Sequence, residues 1–293
     1  MRLAVHFANF TLPGAPGSQA ATLSATAKAA DEGGCAAFTL MDHYFQMESL
    51  ATAQDPMLEG YTALGFLAGQ TRSISLGLLV TGVTYRHPGL LAKIVSTLDV
   101  LSGGRAILGI GAAWYEREHL GLGVPFPPMA ERFERLEEAL AICRQMWSDE
   151  DGPFEGEHYQ LAETICSPRP LQRRPHLMIG GSGERKTLRL VAQYADACNL
   201  FDSDAATVRH KLEVLDRHCA DVGRDPAAIS RTLITADDPF DGSFRSKMAE
   251  YAALGIEQVW VGPGTDIDDP AGWVTDLTER VLPGLAELEP APA

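Results

Sequence analysis

The residues best placed to do chemistry are Asp42 and His43, adjacent in the run Met41-Asp42-His43-Tyr44-Phe45-Gln46 just past an apolar segment. An imidazole beside a carboxylate is an acid–base pair: the acid orients the ring or raises its pKa, and the ring moves a proton. The same pair also reads as a capping Asp followed by a packed His. A second run, Leu78-Leu79-Val80-Thr81-Gly82-Val83, ends in small and β-branched residues that offer a flat shelf for a planar ring. Arg86, in the loop behind it, could meet a phosphate or an acidic tail. Taken alone, this run is equally an ordinary buried strand with a polar loop.

Two further segments extend the set. Gly111-Ala112-Ala113 precede Trp114 and Tyr115, and small side chains let a ligand approach the backbone closely. Glu116 and His119 become neighbours if the following stretch is helical, which suggests acid–base or metal chemistry, whereas Glu118 and His119 read as a solvated helix face. Gly180-Gly181-Ser182-Gly183 forms a glycine-rich turn between an apolar run and a helical pattern. Backbone amides at such a turn hold an anion without a lysine. The spacing is neither G-x-G-x-x-G nor a P-loop, and a tight turn that merely needs glycine is the alternative.

These segments must be positioned by a scaffold, and its class follows from composition and period. The chain has 293 residues, 45% of them apolar and 22% charged, with no apolar run near the roughly 20 residues that span a membrane. Its formal charge of −15 opposes binding to nucleic acid or to anionic membrane, so a small-molecule partner is expected and any anion must be held locally. The five widely spaced cysteines form no C-x-x-C pair and predict reduced thiols, with no disulfide framework or zinc site. Residues 2–8 read directly as a strand rather than a signal peptide, making the cytoplasm the expected location.

Short apolar runs alternate with longer amphipathic ones. Strands are predicted at 2–8, 35–40, 74–80, 105–110, 176–180, 196–201, 229–235 and 257–262. Helices are predicted near 20–32, 57–70, 88–101, 130–148, 184–194, 204–222, 242–254 and 271–287. Eight βα units predict a closed (β/α)8 barrel, whose chemistry sits past the C-terminal ends of the strands, where all of the segments above fall. A single domain over 1–287 is expected. It carries an excursion at about 152–170, between the fourth and fifth strands, that reads as a hairpin serving as lid or packing flap. A polar, Pro-rich tail over 288–293 is predicted to be disordered.

In order and placement, Asp42-His43, Leu76 to Val80, Arg86 to Lys93, Ser102 to Arg105 with Gly109 to Trp114, and Ile179 to Gly183 with Ala195-Asp196 resemble the bacterial luciferase-like family. Within it they resemble the coenzyme F420-dependent oxidoreductases. The resemblance covers roughly residues 2 to 265 and implies a flavin or deazaflavin ring resting on a bulge with a non-proline cis peptide at Leu79-Val80. It implies His43 near the ring as proton donor or transition-state stabiliser, Gly111 to Ala113 along the ring or ribityl chain, and the phosphate on amides of Gly180 to Gly183. Asp42 and Thr81 complete the implied cofactor site. Related enzymes carry a catalytic carboxylate where Trp114 aligns here, leaving Glu116 as the nearest candidate acid.

The implied reaction is hydride transfer between coenzyme F420 and a small organic substrate, in a protein that pairs as a homodimer. Arg86, Lys93, Arg185 and Lys186 are candidates for the acidic tail of the coenzyme. An FMN-dependent monooxygenase and a non-catalytic flavin-binding protein use the same scaffold. A metal-dependent hydrolase built on Asp42, His43 and Glu116 lacks the His-x-His pair that such sites need, so no metal is expected.

Overall fold

The computed structural model describes residues 1–292. Runs of Val, Ile and Leu that form strands buried on both faces produce a parallel sheet. Its strands are β1 (Arg2–Phe7), β2 (Ala37–Leu40), β3 (Ser75–Leu78), β4 (Thr81–Gly82) and β5 (Ala106–Gly111), then β8 (His176–Gly180), β9 (Ala197–Phe201), β10 (Ser230–Ile234) and β11 (Gln258–Val261). The order β3-β2-β1-β11-β10-β9-β8-β5-β4 closes through β3–β5 pairing. Because β4 continues the line of β3 after a break at Leu79 and Val80, the result is an eight-stranded parallel barrel, as the eightfold alternation requires.

The helices are α1 (Gln19–Glu32), α2 (Gly60–Ala68), α3 (Pro88–Ser102), α4 (Glu116–Leu122), α5 (Met129–Met146), α6 (Thr187–Tyr194), α7 (Ala205–Val222), α8 (Phe244–Ala252), α9 (Pro270–Arg280) and α10 (Leu282–Ala286). Local chemistry sets their ends. Glu59 caps α2 by accepting the Thr62 N–H at 2.7 Å, Pro88 opens α3, and Asp204 caps α7 through the Thr207 N–H at 2.9 Å. The short helix α4 has no counterpart in the periodic pattern, where seven residues give too little signal. Among the described residues no helix is long and apolar enough to cross a membrane.

The outer core lies between sheet and helices. A second, smaller cluster of Ala4, Ala37, Ile107, Met178, Ala197 and Trp260 fills the barrel, with Leu79, Val80 and Ile234 against it. The interior is therefore plugged, and open space is confined to the ends. All five cysteines are free and buried.

The excursion after α5 forms a two-rung antiparallel hairpin, β6 (Phe154–Glu155) with β7 (Gln160–Leu161). It is tied to α5, where the Glu138 carboxylate accepts the N–H groups of Glu157 (2.7 Å) and Tyr159 (2.9 Å). None of its residues lines the cavity at the barrel mouth, so it packs on the barrel's flank. In the tail, Leu288 packs against the core and the Ala291 N–H donates to the Ala252 carbonyl at 2.8 Å, while Ala293 lies outside the described residues.

Candidate active site

At the C-terminal end of the barrel a cavity of about 550 Å3 opens over the plug. Its floor is the break between β3 and β4, where the Leu79–Val80 peptide is cis. Two glycines make room for that break. A Cβ on Gly109 would stand 2.2 Å from the Leu78 carbonyl oxygen, and one on Gly180 would stand 2.8 Å from Val80 Cγ1. Small residues here thus serve close backbone approach. Leu79, Val80, Thr81, Gly111, Ala112, Ala113, Gly180 and Gly181 all line the cavity, as do Asp42 and His43.

Ser182 and Gly183 lie beyond the wall, in an adjoining hollow with Arg185 and Lys186. The Gly181 N–H is bonded to the Asn199 carbonyl at 3.0 Å, and the Ser182 hydroxyl accepts the Phe201 N–H at 3.2 Å. Among the described residues, no protein acceptor takes the N–H groups of Ser182 through Lys186. Arg185 and Lys186 are exposed and form no ion pair with the described residues.

Asp42 and His43 do not pair with each other. Asp42 is buried and holds Arg86 in a fork, with Nη1 at 2.7 Å and Nη2 at 2.9 Å, while also accepting the Gly82 N–H at 2.9 Å. Burial pushes its carboxyl up from the ordinary value, opposed by the guanidinium. Arg86 also meets Glu59 at 2.5 Å and lies over the Tyr61 ring. This corrects the expectation that Arg86 faces a phosphate or tail: both of its terminal nitrogens are bonded to carboxylates of the protein itself.

The acid that His43 does meet is Glu118, with His43 Nδ1 donating to Glu118 Oε1 at 2.6 Å. Glu118 is fully buried, accepts the N–H groups of Tyr44 (2.8 Å) and Phe45 (3.1 Å), and receives the Tyr85 hydroxyl. Burial opposes its charge, yet the bonds from His43, Tyr85 and Tyr44 outweigh it and hold the carboxyl below the ordinary value of 4.5. An ionised Glu118 fixes the proton on Nδ1. Nε2, which has no protein partner among the described residues, is left for the cavity.

His119, also buried, donates from Nδ1 to the Tyr115 carbonyl at 2.7 Å and accepts the Thr84 hydroxyl on Nε2 at 2.6 Å, stacked on Tyr85. The solvated face expected at Glu118 and His119 is therefore the buried face of α4. Glu116, by contrast, is exposed and absent from the cavity wall. His6 lines the cavity floor, its Nδ1 3.0 Å from the Thr39 hydroxyl, and burial lowers its pKa to about 4.

The chain is thus a closed (β/α)8 barrel with a cis break in its third strand and an open cavity at the strand ends, and comparison with known proteins gives its family. The chain belongs to the luciferase-like monooxygenase family, which it matches over residues 1–239. It is 28% identical over 227 residues to an uncharacterized protein of Mycobacterium tuberculosis, covering 76% of each chain. It is 37% identical over 134 residues to the F420-dependent glucose-6-phosphate dehydrogenase of Microbacterium testaceum, which covers 45% of this chain and 39% of that protein. The coenzyme F420-dependent tetrahydromethanopterin reductase of Methanopyrus kandleri shares the fold at a TM-score of 0.79 and 17% identity, covering 97% of this chain and 99% of that one. The FMN-bound oxygenating constituent of 3,6-diketocamphane monooxygenase from Pseudomonas putida does so at 0.75 and 17%, covering 97% and 98%.

Proposed function

We propose that this chain is an oxidoreductase that passes hydride between coenzyme F420 and a small organic substrate at the barrel mouth. The observation that carries the proposal is His43: its ring lines a flat-floored cavity, one nitrogen held by a buried carboxylate and the other without a protein partner among the described residues. The residues present fit such a cofactor. The floor from Leu79 to Gly82 and the small residues Gly111 to Ala113 accept a planar ring, and the unspent amides of Ser182 to Lys186 adjoin them as a seat for phosphate. Arg185 and Lys186, next to those amides, suit the coenzyme's acidic tail. The likeness to two F420-dependent glucose-6-phosphate dehydrogenases, at 37% and 41% identity over 134 and 125 residues, favours the deazaflavin over FMN.

When bound, a deazaflavin supplies a ring carbon that accepts or gives hydride and resists oxygen. The chain's own residues do the rest. His43 Nε2 takes or returns the substrate proton, Glu118 keeps the ring in the required tautomer and stabilises its cationic form, and Tyr85 and Thr84 brace that pair through Glu118 and His119. Titration of the purified apoprotein with coenzyme F420 and with FMN tests the proposal. Tighter binding of coenzyme F420 is expected; tighter FMN binding with oxygen consumption would replace it by a monooxygenase, and binding without turnover of any substrate would leave a flavin carrier.

A further inference from the structure

The cofactor reading leaves the outer wall of the cavity unexplained. Trp114 and Phe201 are large apolar side chains in that wall, yet they are 61% and 64% exposed. Trp114 follows β5 and lies edge-on to His43, with ring centroids 5.6 Å apart; Phe201 closes β9. Met47 and Ile234 line the same cavity. Clustered apolar surface left in water is unfavourable in proportion to its area, and at a cavity mouth it marks what the cavity accepts.

Charge points the same way. Among the described residues no lysine or arginine lines the cavity. Of the nearby cations, Arg86 pairs with Asp42 and Glu59 and Arg117 with Glu48, while Arg132 lies outside the lining, donating to the Ala113 carbonyl at 2.9 Å and resting over the Phe126 ring. Arg185 and Lys186 border the separate hollow of the amide loop. A phosphorylated substrate beside His43 would leave water for a wall that carries the Asp42 carboxylate and no lysine or arginine, with the Glu118 carboxylate behind the His43 ring, which is costly.

We infer that the outer mouth binds an uncharged, apolar molecule bearing one hydrogen-bonding oxygen, an alcohol or its carbonyl. Its body lies against Trp114 and Phe201 and its oxygen points to His43, and sugar phosphates are rejected. This rests on the cofactor reading above and names the substrate class of that site. It also separates the chain from the glucose-6-phosphate dehydrogenases with which it shares local identity.

The test is calorimetric titration of protein loaded with coenzyme F420, the loading of each sample being confirmed by absorbance, with 2-octanone and with glucose 6-phosphate. The ketone is expected to bind wild type about tenfold or more tightly than the sugar phosphate. Trp114→Ala and Phe201→Ala should each weaken the ketone by about threefold or more, with melting temperature and coenzyme affinity unchanged. Equal or tighter binding of glucose 6-phosphate, ketone binding indifferent to both substitutions, or loss of coenzyme affinity in their place would each overturn the inference. Failure of wild type to load with the coenzyme at all would instead overturn the cofactor reading, and this inference with it.

Discussion

Two buried carboxylates stand side by side at the barrel mouth, and they do opposite things. Asp42 faces Arg86, a cation that does not titrate, and the pair is completed by the Gly82 N–H and Glu59. Glu118 faces His43, a cation only when protonated, whose second nitrogen has no protein partner among the described residues. The first cluster staples the loop after β2 to the loop after β4, with each acid bound to a guanidinium that keeps its charge. The second is held as rigidly, by two backbone N–H groups and Tyr85, but it keeps one valence for a ligand. What separates scaffold from chemistry is the partner's pKa and reach, not the burial of the acid.

Substitutions sharpen that contrast. His43→Gln should lower turnover by about 10²–10⁴-fold, the usual contribution of a positioned proton-transfer group, while coenzyme affinity holds; steady-state kinetics with a parallel binding titration decides it. Asp42→Asn should act on the fold, leaving Arg86 buried without its full counter-charge at a cost of about 3–5 kcal/mol. Denaturant melts measure that loss, and a stable but inactive Asp42→Asn protein would move Asp42 into the chemical cluster.

Glu118→Gln should cost about 10–10²-fold in turnover, part of the His43 effect, because the tautomer is no longer fixed. It also carries a pH signature. The Glu118 carboxyl is held below its ordinary 4.5, so its stabilisation is fully present above that value and fades as pH falls through the lowered one. The stability gap between wild type and Glu118→Gln should therefore be constant near neutrality and close below about pH 4.5; a gap that widens on acidification would contradict the assignment.

The smallest expected effect lies at His6, which belongs to neither cluster. Its folded pKa of about 4 is below the ordinary 6.5, so the unfolded chain binds the extra proton between those values and stability drops as pH falls across that window. His6→Asn should flatten that slope by about one proton, read from melts at a series of pH values.

The sequence made the barrel and half of the chemical cluster legible. Strand interiors such as Ala106 to Gly111 are apolar without interruption because both faces are covered, and turn residues mark their ends, so His43 could be found by its place after β2. Glu118 could not. It lies two residues from Glu116 on a seven-residue helix, and at about 100° per residue the two acids face opposite ways, one to solvent and one to His43. Only the pairing of Glu118 with His119, set between the exposed Arg117 and Leu120, hints at an inward face. The commitment of Asp42 to Arg86 was equally hidden, since it joins residues 44 positions apart.

The chemical cluster of His43 and Glu118 has a role only if a phosphate-bearing planar cofactor occupies the mouth, its phosphate on the loop from Ser182 to Lys186. The most direct measurement is the affinity for coenzyme F420 of wild type and of Ser182→Asp, which places a negative charge among those unspent amides. The account predicts a fall of about tenfold or more with the melting temperature unchanged. Equal affinity in the two proteins would put the phosphate elsewhere and contradict it.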